Sequence, residues 1–393
     1  MNNLNQMICW RLCCIIATIL LNSSSITAQV LQPLQPLPPI MFTEMNGTMT
    51  LDDGMELPIW GYGLSADGYI TLPGPLLEYE TGENVNLVFS NPSPESHTIH
   101  LHGLDVNQAN DGVPTTSFLV VTGQNGAYNF TASQPGTFLY HCHVTTTLHL
   151  TMGMYGMILV RHPDGTLFED GPTYHSDAPL LFSDLEIATN LAPVQSYPFH
   201  DIRPDYFMIN GLSGSQLDSG PSILSCPFGS QLALRLGSMA YTRTRLIFPP
   251  SLNATCWMSD GRPVPTPFSA DTLDIFPGER FTVLISPPSS TFDGTFEVQY
   301  WDMLNSQHAH SNFIRFRDAS LSTPPSLTPP TIIIAPNPAR NSITIPAIQP
   351  WTIWDLSGRQ LLSGHSSTID ISTLPTGNFV LRTSSGSSPF VKY

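Results

Sequence analysis

The chain has 393 residues, a formal charge of −16, only 14 Lys and Arg, and 11% charged residues. So few cations cannot neutralise a phosphate backbone, which excludes nucleic acid as a partner. The length exceeds one ordinary β-sandwich, and 37 Pro and 28 Gly with few helix-favouring runs point to an all-β, loop-rich, exported protein.

At the N-terminus Arg11 precedes the apolar run Leu12 to Leu21, and a polar stretch ends in Ser25-Ile-Thr-Ala28. The run is about half the roughly 20 residues of a membrane span, so residues 1–28 read as a signal peptide cleaved after Ala28. Its removal leaves Cys142, Cys226 and Cys256. An odd count leaves one thiol over. Cys226 and Cys256 flank strand-like runs of the second half and are expected to pair as a disulfide in an oxidising compartment. Cys142 is then the spare, and it sits among histidines.

Residues 29–165 contain short β-type runs such as Asn84–Phe89, Ala127–Thr131 and Gly156–Val160, separated by turn residues. Residues 166–318 repeat the pattern with Gln231–Leu236, Thr272–Ile275, Phe281–Ile285 and Gly294–Val298. Spacing of this kind predicts Greek-key sandwiches. Gly136-Thr-Phe138 opens the strand into Tyr140-His-Cys-His143, and Gly294-Thr-Phe296 opens the strand into Val298-Gln-Tyr-Trp301, so one β-domain is duplicated. A Ser/Thr/Pro-rich linker is expected over 319–330. Beyond it, residues 331–393 form a small β-unit with Thr331–Ala335, Asn337-Pro-Ala339, Trp351–Gly358 and Ile369–Arg382. This tail resembles the C-terminal sorting domain of the type IX secretion system of Bacteroidetes. The resemblance implies a small β-sandwich, the type IX machinery as a partner, and export through the periplasm of a Gram-negative bacterium to the surface or medium.

Six of the twelve histidines fall between His97 and His149, in the groups His97-Thr-Ile-His100-Leu-His102 and His141-Cys142-His143. Side chains alternate along a strand, so His141 and His143 face one way and Cys142 the other. His100 and His102 likewise share a face that His97 does not. Two metal sites back to back follow. On the Cys142 side, His97, His149 and Met154 complete a thiolate, two imidazoles and a weak thioether, with Met152 as the alternative axial donor. Such a set selects copper, because soft sulfur stabilises Cu(I) while imidazole tolerates Cu(II). Zinc is the competing metal, which a thioether serves poorly. On the other face, His100, His102, His141 and His143 offer four imidazoles to further metal.

These strings, with Pro73-Gly-Pro-Leu-Leu-Glu78 and Asn107–Pro114, resemble the multicopper oxidases, which include laccases and, more distantly, two-domain copper nitrite reductases. The resemblance spans about residues 40–318 and implies two cupredoxin-like domains. It also implies that electrons are taken one at a time at a type 1 copper held by His97, Cys142, His149 and Met154. They then pass through Cys142, His141 and His143 to a second copper cluster that reduces dioxygen, with Asp111 as an outer proton donor. A turn residue is the plainer reading of Asp111. The implied donor is a small molecule or metal ion.

The second domain departs from the pattern. Where the first has His97–Gly103 the duplicate reads Arg243–Pro249, and where it has His141-Cys-His143 the duplicate reads Gln299-Tyr-Trp301. His308 and His310 are the visible substitutes, and would serve across a subunit interface. In two-domain members of the family that interface belongs to a trimer, so a homotrimer is one assembly the resemblance implies. Two alternatives stay open: a nitrite-reductase-like enzyme with two coppers and nitrite as acceptor, and a non-catalytic blue-copper electron carrier or copper-binding protein.

Overall fold

A computed structural model describes residues 40–196, 198–218, 222–321, 339–355, 360–383 and 386–392. The expected signal peptide, residues 322–330 of the expected linker, and Thr331–Ala335 lie outside the described residues.

The first half forms eight strands: β1 (Ile40–Thr50), β2 (Glu56–Leu64), β3 (Leu77–Glu80), β4 (Asn84–Asn91), β5 (His100–His102), β6 (Gln124–Thr131), β7 (Gly136–His141) and β8 (Tyr155–Arg161). They make two four-stranded sheets in the orders β2-β1-β4-β6 and β3-β8-β7-β5. The chain crosses between sheets at five of its seven connections, which is the Greek-key sandwich expected from the short, turn-punctuated runs. Strand β4 shows the period of two that builds the core: Val85, Leu87, Phe89 and Asn91 are buried, with more exposed residues between them.

Strand β7 breaks that alternation, for all six of its residues are buried. Its even-numbered face, Phe138 and Tyr140, packs into the sandwich core, which also holds Cys142. Its odd-numbered face is covered by the second half of the chain. There Leu139, Met157 and Leu159 pack with Leu181, Leu185 and Met208, and Thr137 Oγ1 lies 3.4 Å from Thr282 Oγ1. A strand buried on both faces can present a thiol to one interior and an imidazole to another.

The second half is a larger sandwich. Its six-stranded sheet runs in the order Tyr206–Ile209, Ser176–Leu185, Leu232–Ser238, Arg280–Ile285, Thr255–Ser259, Arg262–Ser269. Its five-stranded sheet runs Leu224–Cys226, His308–Asp318, Asp293–Trp301, Arg243–Ile247, Thr272–Ile275. The expected Cys226–Cys256 disulfide is not formed: both cysteines are free and buried. They lie on strands of different sheets, and each thiol turns to a carbonyl of its own segment, Cys226 to Pro227 at 3.8 Å and Cys256 to Met258 at 3.5 Å.

Strand register shows what replaced the histidines in the duplicate. His100 pairs with His141 in the first sandwich, and Arg245 pairs with Gln299 in the second. With Gly136-Thr-Phe138 laid on Gly294-Thr-Phe296, the positions of His100, His102, His141 and His143 are taken by Arg245, Ile247, Gln299 and Trp301. This moves the sequence alignment by one residue: Thr242, not Arg243, stands where His97 does. A slip of one residue exchanges the two faces of a strand. Tyr300 fills the place of Cys142, fully buried with its hydroxyl on the Met208 carbonyl at 2.8 Å. On the other face Arg245 makes a bidentate ion pair with Asp274, at 2.7 and 2.8 Å, and lies over the Trp301 ring. Packing and ion pairing occupy the places where the first sandwich has metal-type ligands.

The C-terminal β-unit is, among the described residues, one antiparallel four-stranded sheet in the order Gln360–Asp370, Ser342–Asp355, Gly377–Thr383, Gly386–Lys392. Ile343, Ile353, Ile369, Leu381 and Phe390 form its core.

Candidate metal centres

The first cluster is assembled from three separate segments. His97 is pinned by paired backbone hydrogen bonds with Val120, at 3.1 and 3.0 Å. The Cys142 amide, just past β7, donates to the Met154 carbonyl at 3.1 Å, and the Met154 amide donates to the His149 carbonyl at 2.9 Å. His149 rides on the short helix α1 (Thr146–Thr151), which closes the loop between Cys142 and β8. The result places Cys142 Sγ 3.1 Å from His149 Nδ1 and 3.6 Å from His97 Nδ1, with all three residues fully buried. Met152 and Met154 are both buried, and Met154 packs in the core cluster that holds Cys142.

Burial dominates the electrostatics. It lowers the His97 pKa to about 3, helped by the neighbouring His149, and it raises that of the Cys142 thiol. The His149 pKa is lowered by burial, with the Glu95 carboxylate pulling the other way from 3.4 Å at Nε2. That contact falls outside hydrogen-bonding geometry, and the Nε2 atoms of both His97 and His149 are buried without a hydrogen-bond partner. Neutral imidazoles facing a sulfur in a dry pocket keep their lone pairs for a metal, and a bound cation would reverse the penalty on the thiolate. A thiolate, two imidazoles and a thioether fit copper.

The second cluster lies on the reverse of the same strand. Donor atoms of His100, His102 and His141 all fall within 4.8 Å of one another. His100 Nδ1–H donates to the Asp111 carbonyl at 2.8 Å, and His141 Nδ1 lies 3.0 Å from the Cys142 carbonyl, so each ring turns Nε2 toward the cluster. His102 contributes Nδ1, 3.3 Å from His141 Nε2. Burial lowers the His141 pKa to about 3 and the His102 pKa to about 4, the latter with help from the Arg280 guanidinium. His143 stands beside His100, ring centres 5.3 Å apart, but outside the three-donor group.

Asp111 sits beside this cluster, with Oδ1 3.3 Å from His100 Nδ1. Its position depends on Gly112, whose φ is +78° and where a Cβ would lie 2.0 Å from the Ile99 carbonyl oxygen. His308 and His310 do not join either cluster within the chain. His308 is exposed against Trp301 and Ser311, while His310 stacks on Phe207 at 5.1 Å and bonds Asn312. Sequence reasoning missed Glu95 and Trp60, which approach His149 from the surface side, and Thr98, whose hydroxyl accepts the His143 amide at 3.0 Å. Glu95 was within reach, since it is two residues from His97.

A Greek-key sandwich carrying a buried Cys/His/His set, backed by a histidine cluster and followed by a second sandwich, defines a cupredoxin-like fold with two candidate metal centres. Residues 47–165 match the family model described as multicopper oxidase, so the first sandwich is similar to that family. Among curated relatives, the copper-containing nitrite reductase of Neisseria gonorrhoeae is 29% identical over 192 residues, 49% of this chain and 46% of that protein. Dihydrogeodin oxidase of Aspergillus terreus is 25% identical over 285 residues, 65% of this chain and 44% of that protein. The chain thus spans about half the length of the curated relatives it matches. The solved blue copper oxidase of Nitrosomonas europaea shares the fold, with a TM-score of 0.59 and 23% identity over 73% of this chain and 87% of that one.

Proposed function

We propose that the chain is a secreted, copper-dependent oxidoreductase that takes electrons singly from a small organic or metal-ion donor and delivers them to dioxygen. One observation carries this reading: Cys142 belongs to the first cluster, and its chain neighbour His141 belongs to the second. Copper held by Cys142, His97, His149 and Met154, and again by His100, His102, His141 and His143, would supply one-electron redox chemistry at both places. The chain supplies the rest. The peptide bonds joining Cys142 to His141 and His143 are a covalent path between clusters. The core around Cys142 excludes water, which keeps the thiol from side reactions. Hydrogen bonds to the Asp111 and Cys142 carbonyls hold His100 and His141 in one tautomer. The Asp111 carboxylate lies 3.3 Å from His100 Nδ1, at the edge of the second cluster, where it would relay protons. Residues 1–28 and 331–393 serve export through the type IX route, and His308 and His310 remain candidates to complete the second site of a neighbouring subunit in a homotrimer.

A nitrite-reductase-like activity is the second reading, favoured by the convergence of three histidine donors beside Asp111, with Arg245, Ile247, Gln299 and Trp301 at the matching positions of the second sandwich. Steady-state assays with a reduced donor dye separate the two. Dioxygen uptake without nitrite supports the first, nitrite consumption under argon supports the second, and neither in a copper-replete chain leaves an electron carrier.

A further inference from the structure

The three converging donors of the second cluster all come from the first sandwich, and two of them, His100 and His102, ride on β5, which is three residues long and ends its sheet. A short edge strand is weakly held, because it has a ladder partner on one side only. On its open side β5 takes the Leu101–Asp111 hydrogen bond, at 3.3 Å, and His100 is fixed further through Nδ1 by the Asp111 carbonyl. His102 turns Nδ1 to His141, and its ring also borders a cavity of about 650 Å3 between α1 and the second sandwich, which cannot restrain it.

The restraint comes from the second sandwich, where residues 260–261 and 277–280 close over the end of β5. Gly278 brings its backbone against the ring: a Cβ there would lie 3.2 Å from His102 Cε1. Arg280 is buried, and its Nη1 donates to the Gly278 carbonyl at 2.7 Å and to the Asp260 carboxylate at 2.8 Å. Asp260 also accepts the Arg280 amide at 3.2 Å, so the turn and the guanidinium lock each other. Nη2 reaches the residue after His102: at Gly103 φ is +89°, and a Cβ would lie 2.2 Å from that nitrogen. The backbones meet alongside, for a Cβ on Gly136 would lie 2.9 Å from the Gly261 Cα. The Arg280 charge acts on His102 more strongly than that of Asp260, which disfavours the imidazolium and keeps the ring a neutral donor.

We infer that Arg280 is a positioning residue of the second cluster: seated on Gly103 and tied to Asp260 and Gly278, its guanidinium braces the end of β5 and holds the His102 ring with Nδ1 toward His141. The second sandwich, with Arg245, Ile247, Gln299 and Trp301 at the histidine positions, thus still shapes the cluster from outside. This deepens the reading above, and its metal-binding test rests on copper occupying the second cluster.

The test uses the full chain as parent, Arg280→Met, Gly103→Ala and, as a control, Arg235→Met, which removes another buried guanidinium from the neighbouring strand. In the metal-free, histidine-labelled chain, the His102 ring should give one sharp set of NMR signals in parent and control. In Arg280→Met and Gly103→Ala those signals should broaden or double. Cu(II) is then titrated into the same four chains carrying Cys142→Ser, so that the second cluster alone is read. Affinity should fall about tenfold or more in Arg280→Met and Gly103→Ala, the usual effect of losing a group that orients a ligand, with an altered copper hyperfine coupling. The control should stay within about twofold of the parent. Unchanged His102 signals in Arg280→Met, parent-like copper affinity in that variant, or a control that loses as much would each overturn the inference and leave the oxidoreductase reading in place. A parent whose second cluster binds no copper would count against that reading alone, because the ring signals still decide this one.

Discussion

Lowering the pH should unfold the metal-free chain well before the metal-loaded one, because two buried histidines, His97 and His141, and the half-buried His102 resist protonation in the fold. His97 and His141 are held to pKa values of about 3 and His102 to about 4, against an ordinary value of 6.5. Between these limits the unfolded chain binds protons that the folded chain refuses, so stability is full above pH 6.5 and falls as the pH drops toward 4. At pH 5 each histidine costs about 2 kcal/mol relative to pH 8, and the three together roughly 4–6 kcal/mol once their mutual repulsion is shared. That is a large part of the 5–15 kcal/mol typical of a folded domain, and corresponds to a fall in Tm of about 10 °C or more. Differential scanning calorimetry of the metal-free and copper-loaded chains at pH 8, 6.5 and 5 measures it. A lone pair engaged by a metal cannot take a proton, so the loaded chain should lose far less. Equal Tm values for the metal-free chain at pH 8 and pH 5, or the same slope in a His97→Asn/His141→Asn variant, would refute the reasoning.

Three further outcomes follow from particular contacts. Asp111→Asn should slow turnover and displace its pH profile while leaving the visible absorption of the Cys142 site unchanged, and Gly112→Ala should mimic it, because the added Cβ collides with the Ile99 carbonyl. Tyr300→Phe leaves the buried Met208 carbonyl without its hydroxyl donor and should destabilise the second sandwich by about 1–3 kcal/mol in urea titrations, with both clusters spectroscopically intact. Thiol titration of the metal-free chain lacking residues 1–28 should find three free thiols after denaturation without reductant, and the Tm should not respond to dithiothreitol. One free thiol would restore the Cys226–Cys256 bridge.

The back-to-back arrangement was legible in the sequence because strand parity is local: His141, Cys142 and His143 need only an extended backbone to separate thiol from imidazoles. The all-β class followed from turn spacing for the same reason. Pairings between distant strands were less legible. Cys226 and Cys256 both lie in strands, but nothing in the sequence said that those strands belong to different sheets. The duplicate was aligned one residue out, because matching phrases fix a neighbourhood, and only the pairing of Arg245 with Gln299 fixes the register. The cavity beside His102 was invisible, since its walls come from segments around residues 150, 207, 240 and 303, brought together only by folding.

Copper quantitation with electron paramagnetic resonance, on the parent chain and on Cys142→Ser, tests the central claim most directly. Two distinct copper environments are expected in the parent, and only the one tied to the sulfur, with its intense visible absorption, should vanish in the variant. A parent with a single environment, or a variant that keeps the absorption, would contradict the assignment of one strand to two metal sites.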